Sequence, residues 1–233
     1  MIFRKKFILA ALSAAFGLAA ANANANLVLL GPENFGAGLG SANTILTLIN
    51  PEGTASEAAL VGVLGSGATG ILGDAVLAQT QVRSISSLGI TSANSLRVAF
   101  NAAEPAGDAN SINLNTLVLS VYNPTNGAVL FTASYSGAPH LFANTTAGAG
   151  NSGFVFGLDS SEAAALQVIL NTPGSGVDLI GIAASASLAT GGAETFYVAN
   201  SASAVPEPDT YGLLAAGLGL VGFLRRQKQK LTA

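Results

Sequence analysis

Few residues among the 233 of this chain could do chemistry. His140 is the only histidine, and there is no cysteine. One histidine cannot build a histidine-based metal site. Without thiolates, cysteine-type zinc sites and iron–sulfur clusters are excluded. A Ser–His–Asp arrangement is open by composition, since serines and Asp159 or Asp178 exist, but no G-x-S-x-G motif locates a nucleophile. His140, in Ala138-Pro139-His140-Leu141, therefore reads as a turn or core residue, and no catalytic residue is assigned. The most site-like stretch is Glu104-Pro105-Ala106-Gly107-Asp108-Ala109-Asn110. Glu104, Asp108 and Asn110 put two carboxylates and an amide oxygen into one turn, the hard donors that calcium takes. The spacing is not that of an EF-hand, and a solvated acidic loop is the plainer reading. Glycine-rich 36–40 and 65–70 lack a P-loop lysine and read as loops.

A second kind of chemistry is to be a substrate. Val205-Pro206-Glu207-Pro208 holds two prolines, which have no backbone N–H and keep φ near −65°. The motif should be extended and readable by an enzyme cleft. Behind it, 211–224 is apolar and uncharged, and Arg225-Arg226-Gln227-Lys228-Gln229-Lys230 follows. Fourteen residues make a helix of about 21 Å, short of the hydrocarbon core of about 30 Å. The run is near the end of the chain, Tyr211 suits a membrane interface, and Arg225 and Arg226 can snorkel. A transmembrane helix over about 210–224 is therefore predicted. The positive-inside rule puts the basic end in the cytoplasm and Glu207 outside. Gly212, Ala215, Ala216, Gly219 and Gly222 leave one small face for a neighbouring helix. The simpler alternative is an anchor that is never processed.

The other end fits the same route. Arg4-Lys5-Lys6 precedes an apolar run over 7–21, and Ala23-Asn24-Ala25 has the A-x-A form of a signal-peptidase site. Cleavage after Ala25 would start the mature chain at Asn26; Ala21-Asn22-Ala23 offers a site two residues earlier. Residues 1–25 are read as a signal peptide, 26–199 as a passenger domain, 200–204 as a spacer and 205–230 as a sorting and anchor segment.

The C-terminal residues that carry a resemblance are Val205-Pro206-Glu207-Pro208, Thr210-Tyr211-Gly212-Leu213-Leu214, Gly217-Leu218-Gly219-Leu220-Val221-Gly222-Phe223 and Arg225-Arg226. The segment resembles the PEP-CTERM protein-sorting domain, also catalogued as the ice-binding protein C-terminal domain. It covers about 25 residues of the chain. The resemblance implies recognition by an exosortase, an integral-membrane transpeptidase of Gram-negative bacteria, with cleavage near Pro-Glu-Pro. Hosts of that family typically make extracellular polysaccharide, as in biofilm matrix. Residues 26–199 resemble, more weakly, other PEP-CTERM passenger domains. The glycine-rich start at 35–47 and Glu194-Thr195-Phe196-Tyr197-Val198-Ala199 carry that likeness.

Charge narrows the passenger's partners. Over 26–204 only Arg83 and Arg97 are basic, against ten carboxylates, which leaves the domain near −8. Nucleic acid and anionic membrane surfaces are disfavoured, because binding them needs phosphate-neutralising Lys and Arg. The acidic residues are expected on a polar surface of Ser, Thr, Asn, Gly and Ala.

Period-2 patterns predict a mainly β fold, a β-sandwich or jelly roll with one or two short helices. Strands are expected at 44–49, 58–64, 71–82, 95–100, 116–122, 128–135, 154–158, 177–188 and 194–199. The pair 116–135 closes on Asn123-Pro124-Thr125-Asn126-Gly127 as a hairpin. Residues 177–199 are expected to close a second hairpin over Gly191-Gly192. Asp159 with Glu162 three residues on starts a helix that Thr172-Pro173-Gly174 stops, and 84–88 gives a short helical turn.

Two functions follow as expectations. One is a non-catalytic surface or extracellular-matrix protein, sorted by an exosortase through an inner-membrane intermediate, with no cofactor assigned and calcium the one candidate. The other is a carbohydrate-binding module or polysaccharide-modifying enzyme. Sugar sites use exposed aromatics and paired carboxylates, and here there is no tryptophan and only Tyr122, Tyr135, Tyr197 and Tyr211. Ice binding would want a repeated Thr-x-Thr array, which is absent.

Overall fold

The computed structural model describes residues 26–34, 44–102, 111–135, 140–143, 152–189 and 192–201. The chain divides into two units, Met1–Asn200 and Ser201–Ala233. The described residues are mainly β, in two antiparallel sheets with a single α-helix.

The first sheet has five strands: β1 (Leu27–Asn34), β2 (Thr44–Thr47), β6 (Leu96–Asn101), β10 (Ser152–Leu158) and β12 (Thr195–Asn200). Their order is β1-β10-β6-β12-β2. The second holds β3 (Ser56–Val63), β4 (Thr69–Gly73), β7 (Ser111–Tyr122), β8 (Val129–Tyr135) and β11 (Leu179–Ser187), in the order β4-β3-β11-β7-β8. Short β5 (Arg83–Ser84) pairs with β11, and β9 (His140–Ala143) with β7. Leu96, Val98 and Phe100 of β6 share one continuous core with Leu117, Leu119 and Val121 of β7. Removing each large apolar side chain from water stabilises by about 1.5–3 kcal/mol. Phe142 of β9 joins the sheets, meeting Phe100 edge-on at 5.4 Å and Phe154 at 4.6 Å between ring centroids.

The β7–β8 hairpin forms as the alternation predicts. Asn123 Oδ1 accepts from the Thr125 N–H, and Asn126 Oδ1 from the Ala128 N–H, so both amides shape the turn locally. Gly127 sits at φ 70, where a side chain would strike the Leu64 carbonyl. A register shift between Val121 and Tyr122 turns Val129 outward, so Val129 does not continue the buried face of Phe131.

The helix α1 (Ser160–Leu170) starts at Asp159 as expected. Its Ala163 and Leu166 are buried, and the Gln167 side chain accepts from the Ala93 N–H at 2.9 Å. Short 3-10 turns occupy Ser86–Leu88 and Ala93–Ser95.

Two expectations need correction. The predicted strand 71–82 ends at Gly73, whose φ of 88 leaves extended backbone; Leu77–Gln79 is a 3-10 turn instead. Strands β11 and β12 are no hairpin, since they lie in different sheets. Strand β1 adds to the expected strands, and Gly31-Pro32 interrupts its apolar run. It lies at a sheet edge, where proline removes no needed donor, and a bulge between Leu29 and Gly31 absorbs the irregularity. Among the described residues no helix is long and apolar enough to cross a membrane. The transmembrane helix read over about 210–224 lies outside them.

Candidate functional site

Most residues singled out from sequence lie outside the described residues. These are Ala23 and Ala25, the calcium candidates Glu104, Asp108 and Asn110, the motif Val205, Pro206, Glu207 and Pro208, and Arg225 and Arg226. Among the described residues no three acidic or histidine side chains gather to hold a metal.

His140 opens β9, opposite Leu114, with its side chain exposed and its ring 4.7 Å from that of Phe142. It is an edge-strand residue resting on an aromatic. No hydrogen bond links it to Asp159 or Asp178 among the described residues. Asp159 is occupied in the helix cap, accepting from Ser161 Oγ at 2.7 Å and the Glu162 N–H at 2.9 Å.

The acidic residues are not all on the surface. Glu57, Asp178 and Glu194 are buried. Asp178 precedes β11, and its backbone carbonyl accepts from the Ile85 N–H at 3.0 Å while its N–H donates to the Ser175 carbonyl. These bonds fix the residue where it lines a cleft of about 360 Å³. The β7–β8 turn supplies Asn123 and Thr125, and α1 with its C-terminal loop supplies Ile169, Thr172 and Val177. Burial pushes the Asp178 carboxyl above its ordinary range, and among the described residues no cation counters the effect. Since its value is raised on folding, its contribution favours the fold below the ordinary carboxylate range and is lost as pH rises through the raised value. No local motif marks this site; its lining comes from two stretches of chain, 123–130 and 169–178.

Tyr122 and Tyr197 also carry phenols that burial holds above their usual value, Tyr197 up to about 12. Tyr197 is packed with Ala99 and Val155 in a small cluster separate from the main core. Tyr197 is buried and Tyr122 half-buried, so neither ring is a fully exposed stacking platform for a sugar.

No curated protein and no solved structure matches this chain. One family model does, over 204–229, where the apolar run, its Pro-flanked entry and its basic end lie. That motif implies recognition by an exosortase, export, and anchoring in the membrane before processing. At its C-terminal end the chain therefore carries a PEP-CTERM protein-sorting motif, residues 204–229.

Proposed function

We propose that this is an exported, non-catalytic surface or extracellular-matrix protein whose passenger domain is released or re-anchored by exosortase cleavage near Pro206-Glu207-Pro208. The observation that carries the reading is the PEP-CTERM motif at 204–229. Arg225 and Arg226 set orientation, because moving each across hydrocarbon costs about 2.5–3.5 kcal/mol on insertion scales. That holds the extended motif just outside the bilayer, within reach of a membrane-embedded enzyme.

Signal-peptide removal after Ala25 accords with the fold. Strand β1 begins at Leu27, and the Asn26 carbonyl accepts from the Asp159 N–H at 3.3 Å, so cleavage there leaves the first strand whole. The non-catalytic role draws support from the position of His140 and the engagement of Asp159. Intact-mass and N-terminal analysis of the protein from its host tests the export route. The expected mature chain starts at Asn26, or two residues earlier, and lacks residues beyond the Pro-Glu-Pro region. Retention of Met1 would contradict it. A glycan array and hydrolysis screen on the same material should show weak binding or none, and no turnover. Turnover abolished by one carboxylate substitution would replace the structural role with an enzyme of the matrix.

A further inference from the structure

We propose that the cleft at Asp178 is a binding site for a basic side chain of a partner protein, an ammonium or guanidinium group on an aliphatic stem. The cleft, at about 360 Å³, is large enough for one such side chain. Its lining combines one acid with several apolar side chains. Asp178 lines it while only 8 % exposed, and among the described residues its carboxylate accepts no hydrogen bond and has no ion-pair partner. The domain has only two cations of its own. Arg97 is committed to the Asn94 and Leu96 carbonyls, and Arg83 makes no ion pair with Asp178. A carboxylate on a largely buried residue, with no counterion among the described residues, is partly desolvated without compensation, and such acids recur at ligand sites.

The remaining lining decides between ligands. Leu130 and Val177 are large apolar residues left 40 % and 62 % exposed on the wall, beside Ile169 and Pro173. They suit the methylenes of a lysine or arginine, which pack along apolar surface while the charge reaches the acid. Three of the other side-chain oxygens in the lining already have a partner. Thr172 Oγ1 donates to the Val168 carbonyl, Ser175 Oγ to the Leu170 carbonyl, and Asn123 Oδ1 accepts within its own turn. One free carboxylate cannot supply the six to eight oxygens calcium takes. Among the described residues no aromatic lines the cleft, so none of them offers a sugar ring a stacking face. The acidic balance of the domain would steer a basic partner towards it.

The test is methyl NMR of the full chain in detergent, titrated with Nα-acetyl-lysine methylamide up to about 50 mM, the range of a single weak contact. The arginine analogue, the uncharged norleucine analogue, glucosamine and calcium are run beside it. Leu130, Ile169 and Val177 methyls should shift with the lysine or arginine ligand and not with norleucine. Asp178→Asn should weaken binding by about tenfold or more while the other methyls keep their positions. Should Asp178→Asn fail to fold, Val177→Lys at the exposed rim supplies a tethered competitor and should abolish the shifts. Shifts that persist in either folded variant, a stronger response to calcium or glucosamine, or no response to the basic ligands would overturn the proposal.

Discussion

The Asp159 carboxylate accepts the Glu162 backbone N–H at 2.9 Å, closing the first turn of the only α-helix among the described residues. The bond satisfies one of the donors a helix start leaves open, and the negative charge suits the positive end of the helix dipole.

Asp159→Ala should therefore lower stability by about 1 kcal/mol. Hydrogen bonds from the Glu162 N–H and the Ser161 hydroxyl hold the Asp159 carboxyl below its ordinary value. A value depressed on folding gives stability that is present above the ordinary carboxylate range and is lost as pH falls through the depressed value. Thermal melts of wild type and variant should differ at neutral pH and converge in acid. A constant difference down to the lowest pH would mean that Asp159 acts by something other than its charge.

A Cβ at Gly181 would collide with the Val61 carbonyl and come within 3.1 Å of the Gly62 Cα. Both belong to β3, the neighbour of β11. Backbone cannot move aside as a side-chain tip can, so Gly181→Ala should destabilise by about 2–3 kcal/mol. Gly65, with open space around it, is the control and should tolerate alanine with little change. Urea unfolding of the two variants makes the comparison, and equal midpoints would contradict the close approach of the strands.

Tyr197 gives an alkaline signature. Its phenol is raised to about 12 by burial, against an ordinary value near 10. A raised value means the neutral phenol is favoured by the fold, so this contribution is intact below pH 10 and is lost as pH rises towards 12. Phenolate absorbance should rise in two stages, with the late stage coinciding with loss of β circular dichroism. Tyr197→Phe should remove part of that late stage. A single transition near pH 10 with the fold intact would contradict the burial of Tyr197.

Local signals were the legible ones. The β7–β8 hairpin announces itself by Leu117, Leu119 and Val121 in alternation and by two turn asparagines, and the α1 start by Asp159 and Glu162. The sorting motif is equally local, which is why 205–230 is legible without any knowledge of the fold, against a family match at 204–229. What depends on distant partners could not be read. Gly31-Pro32 interrupts a strand pattern, and only an edge position in the sheet makes the interruption harmless. The residues of β11 and β12 follow each other closely yet serve opposite sheets, a choice made by their pairing with β7 and with β6. Asp178 reads as one more surface acid until the β7–β8 turn and the end of α1 are brought over it.

The sorting claim is tested most directly by following the protein through cell, membrane and medium fractions on a blot. Three strains are needed: wild type, Glu207→Ala, and a host lacking its exosortase. If Pro206-Glu207-Pro208 is the processing signal and 211–224 with its basic end holds the chain until then, the wild-type protein should run smaller or appear outside the membrane. The two altered strains should accumulate a larger, membrane-bound form. Identical size and location in all three would contradict processing and leave the tail as an anchor alone.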